Sequence, residues 1–180
     1  MKKFFLISLC LFAVGVLAAV GGTLAAYYYF SSDLPRMASL NDYRPALVTQ
    51  VFSVEGELIG EFFIERRYPV ELSEIAPVFI NAILATEDDT FFEHQGINLW
   101  SIVRAAIANL RSRKIRQGGS TITQQVVKSL MLTPERSYTR KIKEAILATR
   151  IEKALTKEEI LILYLNQIYF GRGAYGVEAA

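Results

Sequence analysis

The uncharged run from Phe4 to Ser32 constrains this chain more than any other feature. A helix needs about 20 mainly apolar residues to cross the roughly 30 Å hydrocarbon core of a bilayer, and this run is longer. Lys2 and Lys3 stand before it, where the positive-inside rule places cytoplasmic charge. Tyr27, Tyr28, Tyr29 and Phe30 close it with an aromatic belt suited to the far interface. A cleaved signal peptide, cut near Thr23–Ala26, is the competing reading, but its apolar core normally spans about 7–15 residues. The expectation is an uncleaved signal anchor over residues 1–32, single-pass in the cytoplasmic (inner) membrane with its N-terminus inside. The rest then lies on the periplasmic or extracellular face, within reach of membrane-bound substrates.

Beyond the anchor there is room for one domain of about 100–150 residues. The net charge of +2 gives no field for a polyanion, so no nucleic-acid partner is expected. The single cysteine, Cys10, lies inside the apolar run, which excludes a disulfide framework and zinc-type spacing. The lone histidine, His94, cannot build a multi-histidine metal site. A Ser-His-Asp triad would have to centre on it, and no Gly-x-Ser-x-Gly elbow supports one.

Residues 33–72 read as a juxtamembrane, β-rich connector. Leu47–Val54 and Leu58–Ile64 are rich in β-branched and aromatic residues and flank Glu55-Gly56-Glu57, with Tyr68–Leu72 available to extend the sheet. From residue 73 to 180 the pattern turns helical: Ile75–Thr86, Leu99–Leu110, Thr121–Leu130, Thr139–Leu155 and Lys157–Tyr169 each space apolar residues by three or four. Thr121 with Gln124, and Thr156 with Glu159, have capping-box spacing. The domain is therefore mainly α, without a Rossmann glycine pattern, a P-loop or an internal repeat. The last residues, up to Ala180, read as the start of a further helix, as in a piece of a longer protein.

Chemistry concentrates in Ala85–Gly96. An apolar helix runs straight into Glu87 and Asp88, where the negative helix end and apolar neighbours both favour a protonated carboxyl. That combination makes a usable general base, although solvated helix-end carboxylates look the same in sequence. Gln117–Gln125 places two glycines before a Ser/Thr-rich helix start, whose N–H groups and dipole favour anions, with Lys128 one or two turns on. Ordinary capping is the plainer account of those residues. Arg136, Arg140, Lys141 and Lys143 crowd the next helix start, an unfavourable place for cations unless they meet phosphate. Arg140 and Glu144 also have the i,i+4 spacing of a helix-surface salt bridge. The basic run Arg111–Arg116 closes a helix and reads as a solvated end or an anionic-lipid contact. Asn166–Gly176 reads as a helix end running into a glycine-rich loop.

Together these stretches resemble the peptidoglycan glycosyltransferase domain (glycosyltransferase family 51) of class A penicillin-binding proteins and monofunctional transglycosylases. The first motif of that family stands here as Glu87, Asp88, Phe91, His94 and Gly96; the second as Gly118–Gln125 followed by Lys128. The third is Arg140, Lys141 and Glu144, and the fourth runs from Lys157 to Asn166 and on through Tyr169-Phe170-Gly171. Ile162 replaces a usual glutamate, and Ser129 a common asparagine. The resemblance implies a lysozyme-like helical fold. It also implies polymerisation of lipid II and the nascent glycan chain, both carried on undecaprenyl pyrophosphate, at the membrane and alongside other cell-wall synthesis proteins. In that frame Glu87 is the catalytic base and Glu144 the second catalytic glutamate. Lys128, Arg136, Arg140 and Lys143 hold pyrophosphate, Ser120 and Gln125 contact sugar or phosphate, and Asp88 tunes Glu87 by like-charge repulsion. Phe91 and His94 hold the motif loop. Glu144 either orients those lysines and arginines or binds a divalent cation, Mg or Mn, at the pyrophosphate; no organic cofactor is implied. A lysozyme-like glycan-cleaving enzyme and an inactive membrane-anchored binding module are the alternatives.

Overall fold

The structure, a computed structural model, describes residues 2–35, 45–112, 118–133 and 137–180. Helix α1 (Lys2–Ser31) is the apolar run. Its segment Leu6–Ser31, with mean hydropathy 2.2, is long and apolar enough to cross a membrane, and its most apolar stretch is not buried against protein. Strands β1 (Thr49–Phe52) and β2 (Leu58–Phe62) form an antiparallel hairpin in which Thr49 faces Phe62 and Gln50 faces Glu61. Gly56, at φ 84°, takes the left-handed turn position that favours glycine. Both strands are shorter than the sequence suggested.

Tyr68–Leu72 does not extend this sheet. The Asn166 side chain donates to the Val70 carbonyl at 2.9 Å and accepts from its N–H at 3.1 Å. With both backbone groups satisfied there, no ladder is needed. The connector is thereby tied to the helical domain.

Among the described residues five α-helices follow: α2 (Pro77–Glu87), α3 (Leu99–Ser112), α4 (Ile122–Met131), α5 (Tyr138–Ala154) and α6 (Lys157–Gln167). Each matches an expected segment within a few residues. Both expected capping boxes are present, Thr121 with Gln124 on α4 and Thr156 with Glu159 on α6. Ser137 caps α5 by accepting from Arg140 N–H. Helix α6 stops at Gln167, two residues short of expectation, because Tyr169 enters a second hairpin of β3 (Tyr169–Gly171) and β4 (Ala174–Tyr175). Arg66 bridges that hairpin through Tyr175 N–H and the Gly173 carbonyl.

Helix α4 is the centre of the domain and packs against both α5 and α6. Ile122, Val127, Leu147, Ile151, Ile160 and Leu165 are fully buried around it, with Phe91 of the α2–α3 loop added to the same cluster. Fully burying such side chains stabilises by about 1.5–3 kcal/mol each, so this cluster fixes the frame on which the loops sit.

Candidate active site

Helix α2 begins with Pro77 at its first turn and ends at Glu87; Asp88 is its C-cap, with its N–H on the Leu84 carbonyl at 2.9 Å. Glu87 is exposed, on the wall of a cavity of about 660 Å³. The apolar residues before it do not enclose it, because the chain leaves the helix one residue later. Gln125 of α4 donates to its Oε2 at 2.8 Å, which fixes the carboxylate on the side of the cavity.

Asp88 turns inward and is buried. Its carboxylate accepts from Ile122 N–H at 3.0 Å and from His94 Nε2 at 2.9 Å. It closes the N-terminus of α4 with the charge that the helix dipole favours. Gly96 N–H donates to His94 Nδ1 at 3.1 Å, so Nδ1 is the acceptor and the ring proton sits on Nε2, toward Asp88. Gly96, at φ 87°, lies so close to α5 that a Cβ there would be 2.6 Å from the Ala148 carbonyl oxygen. Its own carbonyl accepts from Thr121 Oγ1 at 2.7 Å. The loop is therefore pinned at both ends to α4. Among these residues the expectation that Phe91 and His94 hold the loop matches the geometry. Asp88 adjoins the cavity, with its oxygens taken up by this pinning.

Glu144 forms the other wall. Although buried, it accepts from Arg140 Nε at 3.0 Å and Lys141 Nζ at 2.7 Å. Lys141 also donates to Ser120 Oγ at 2.7 Å. Lys128 lines the same cavity, exposed and without an ion pair among the described residues. Arg104 and Asp89, 3.7 Å apart, close a further side.

Glu87, Asp88, Ser120, Gln125, Lys128, Arg140 and Glu144 thus meet at one cavity. Lys143 does not. It points to the end of α1 and pairs with Asp33 at 2.9 Å, because it lies about 100° around the helix from Glu144. Arg136 lies outside the described residues. Lys141 takes the place expected for Lys143, and helical phase was the signal for it, being 60° from Glu144 at about 100° per residue. Arg104 and Ser101 had no signal in sequence, since long-range packing brings α3 to the cavity, whereas Asp89 stands inside the Ala85–Gly96 stretch next to Asp88.

A protein-held divalent cation does not fit this donor set. Both Glu144 oxygens already face cations, and the described residues contain no group of three or more acidic, histidine or cysteine ligands. The positive charge of the site is its own lysines and arginines.

Residues 55–180 match the family model described as Transglycosylase. The chain is 46% identical to penicillin-binding protein 1A of Escherichia coli K12, over 99% of this chain and 21% of that protein. It is 48% identical to penicillin-binding protein 1A of Pseudomonas aeruginosa PAO1, over 92% of this chain and 20% of the relative. For penicillin-binding protein 1A of Aquifex aeolicus VF5 the figures are 48%, 92% and 23%. The chain spans about a fifth of the length of these curated relatives.

Proposed function

The chain belongs to the transglycosylase family, and from that premise we propose that it is a peptidoglycan glycosyltransferase of cell-wall synthesis. Its substrates are lipid II and the growing glycan chain on undecaprenyl pyrophosphate. Helix α1 holds it in the cytoplasmic membrane with the N-terminus inside. The observation that supports this reading is one cavity lined by a carboxylate, Glu87, and by Lys128, Arg140 and Lys141, the last two held on the wall that Glu144 forms.

The reaction needs that polarity. Glu87 takes the proton of the acceptor's N-acetylglucosamine 4-hydroxyl as that oxygen attacks the anomeric carbon of the donor chain. The bond from that carbon to the lipid pyrophosphate breaks, the configuration inverts from α to β, and the pyrophosphate leaves with the electron pair. Negative charge grows on the leaving group, where the cations stabilise it more than they stabilise the ground state. Arg140 suits bidentate phosphate contact. Glu144 holds Arg140 and Lys141 in place for that contact. Gln125 aims Glu87, and Ser120 aims Lys141. Cleavage of a neutral glycosidic bond would have no use for three cations in the cavity of the base.

The test is glycan synthesis from labelled lipid II in detergent, wild type beside Glu87→Gln. The expected result is polymer from the wild type and a loss on the order of 10²–10⁴-fold in the variant, the usual contribution of a general base. Equal polymer from both removes Glu87 from its role. Shortening of preformed glycan in place of growth would establish the hydrolase. No reaction from a folded sample overturns the reading for this chain.

A further inference from the structure

We propose that Lys157 is a positioning residue for Glu87, acting through the Asp88–Gly96 loop from outside the cavity. The Lys157 ammonium donates to the His94 carbonyl at 2.6 Å and to Glu152 Oε1 at 2.7 Å. It also stands 4.5 Å from the centroid of the Phe91 ring. An ammonium has three N–H donors, and a carbonyl, a carboxylate and an aromatic face surround this one. Glu152, only 6% exposed, accepts from Thr123 Oγ1 at 2.6 Å through the same oxygen. Neither Lys157, Glu152 nor His94 lines the cavity that holds Glu87; all three line a second cavity of about 630 Å³.

The contacts form one chain. Lys157 fixes the His94 backbone, the His94 ring holds Asp88, and Asp88 caps the helix whose last residue is Glu87. A lysine at the first residue of α6 meets the positive end of the helix dipole, an unfavourable place unless partners such as these offset it. Without it, Glu152 keeps a buried charge with one donor fewer and the His94 carbonyl loses its partner, so the loop loses its anchor on that side.

The effect on turnover rests on the polymerisation reading, whereas the effect on the loop does not. His94 is the single histidine of the chain, so histidine-specific ¹⁵N labelling gives one imidazole to observe in the full chain in detergent micelles. The wild type should show two well-separated ring-nitrogen signals, a protonated Nε2 and an unprotonated Nδ1. In Lys157→Met they should move toward their average as the ring loses its fixed orientation, and in Glu152→Gln they should move the same way by less. Under lipid II turnover Lys157→Met should lose about 10–100-fold in kcat, the scale of a small misplacement, with KM within about twofold. Lys157→Arg should recover part of both readouts. Unmoved nitrogen signals in folded Lys157→Met, or in Glu152→Gln should the methionine variant fail to fold, overturn the proposal. Moved signals in a chain that makes no polymer would sustain the positioning role and sink the polymerisation reading alone.

Discussion

At the scale of single residues, Tyr164 is a buried side chain with a polar group whose removal should strengthen the fold. Its hydroxyl is buried with no hydrogen-bond partner among the described residues. Burial, and then the nearby Glu87 carboxylate, push its phenol well above the ordinary tyrosine value. Tyr164→Phe removes a buried polar atom without removing a bond, so it should stabilise the domain by up to about 1–3 kcal/mol, read from denaturant midpoints at neutral pH. The pH dependence has a definite sign. A phenol raised in the folded state contributes fully below the unfolded value of about 10, and its contribution is lost as pH rises from there toward the folded value, because the unfolded chain gives up its proton first. Wild-type stability should therefore fall between about pH 10 and 11 by an amount that Tyr164→Phe abolishes, at most about 1.4 kcal/mol per unit. Gly96→Ala is the contrasting case. Positive φ and a Cβ 2.6 Å from the Ala148 carbonyl oxygen both oppose it, and a loss of about 1–3 kcal/mol from strain alone is expected. An unchanged midpoint would mean that the loop does not close on α5 as described.

At the scale of elements, helix existence and capping were written into the sequence because both depend on neighbours a few residues apart. Thr121 illustrates how much such a position carries. It completes the capping box of α4 and also donates to the Gly96 carbonyl from its hydroxyl. Thr121→Ala should cost about 1–2 kcal/mol for the cap and more for the stranded carbonyl, whereas Thr156→Ala on α6 should cost only the cap, about 1 kcal/mol. Thermal or denaturant melts of the two variants side by side would decide this; equal losses would remove Thr121 from loop closure. What was not legible needed contacts between distant elements. The Val70–Asn166 pair drew the connector away from the first hairpin, and the exposure of Glu87 follows from where α2 stops, not from its composition. The basic cluster of α5 was visible as composition, but assigning Lys141 to the cavity and Lys143 elsewhere required the phase of the helix.

At the scale of the whole molecule, the end of the membrane helix packs against the helix that carries the site's cations. Helix α1 contacts α5, Asp33 pairs with Lys143, and Leu34 packs on the domain core. An exposed ion pair between flexible side chains contributes little, since water and salt screen it. Partial burial of a leucine is not screened, so Leu34 should carry most of the docking and Lys143 mainly its direction. The hydrogen bond from Lys143, and then its charge, hold the Asp33 carboxyl below its ordinary range. A carboxyl lowered in this way keeps the tie above the ordinary carboxylate range and loses it as pH falls through the folded value. Spin labels at Ser31 and Thr149 in the full chain in lipid nanodiscs would measure the docking directly. Leu34→Ser should broaden the distance distribution strongly at neutral pH. Lys143→Glu should broaden it less, Asp33→Lys combined with Lys143→Glu should restore it, and acidification of the wild type should imitate Lys143→Glu. A narrow distribution in Leu34→Ser would show that the connector, tied to the domain through Val70 and Asn166, positions the cavity over the membrane without help from the anchor.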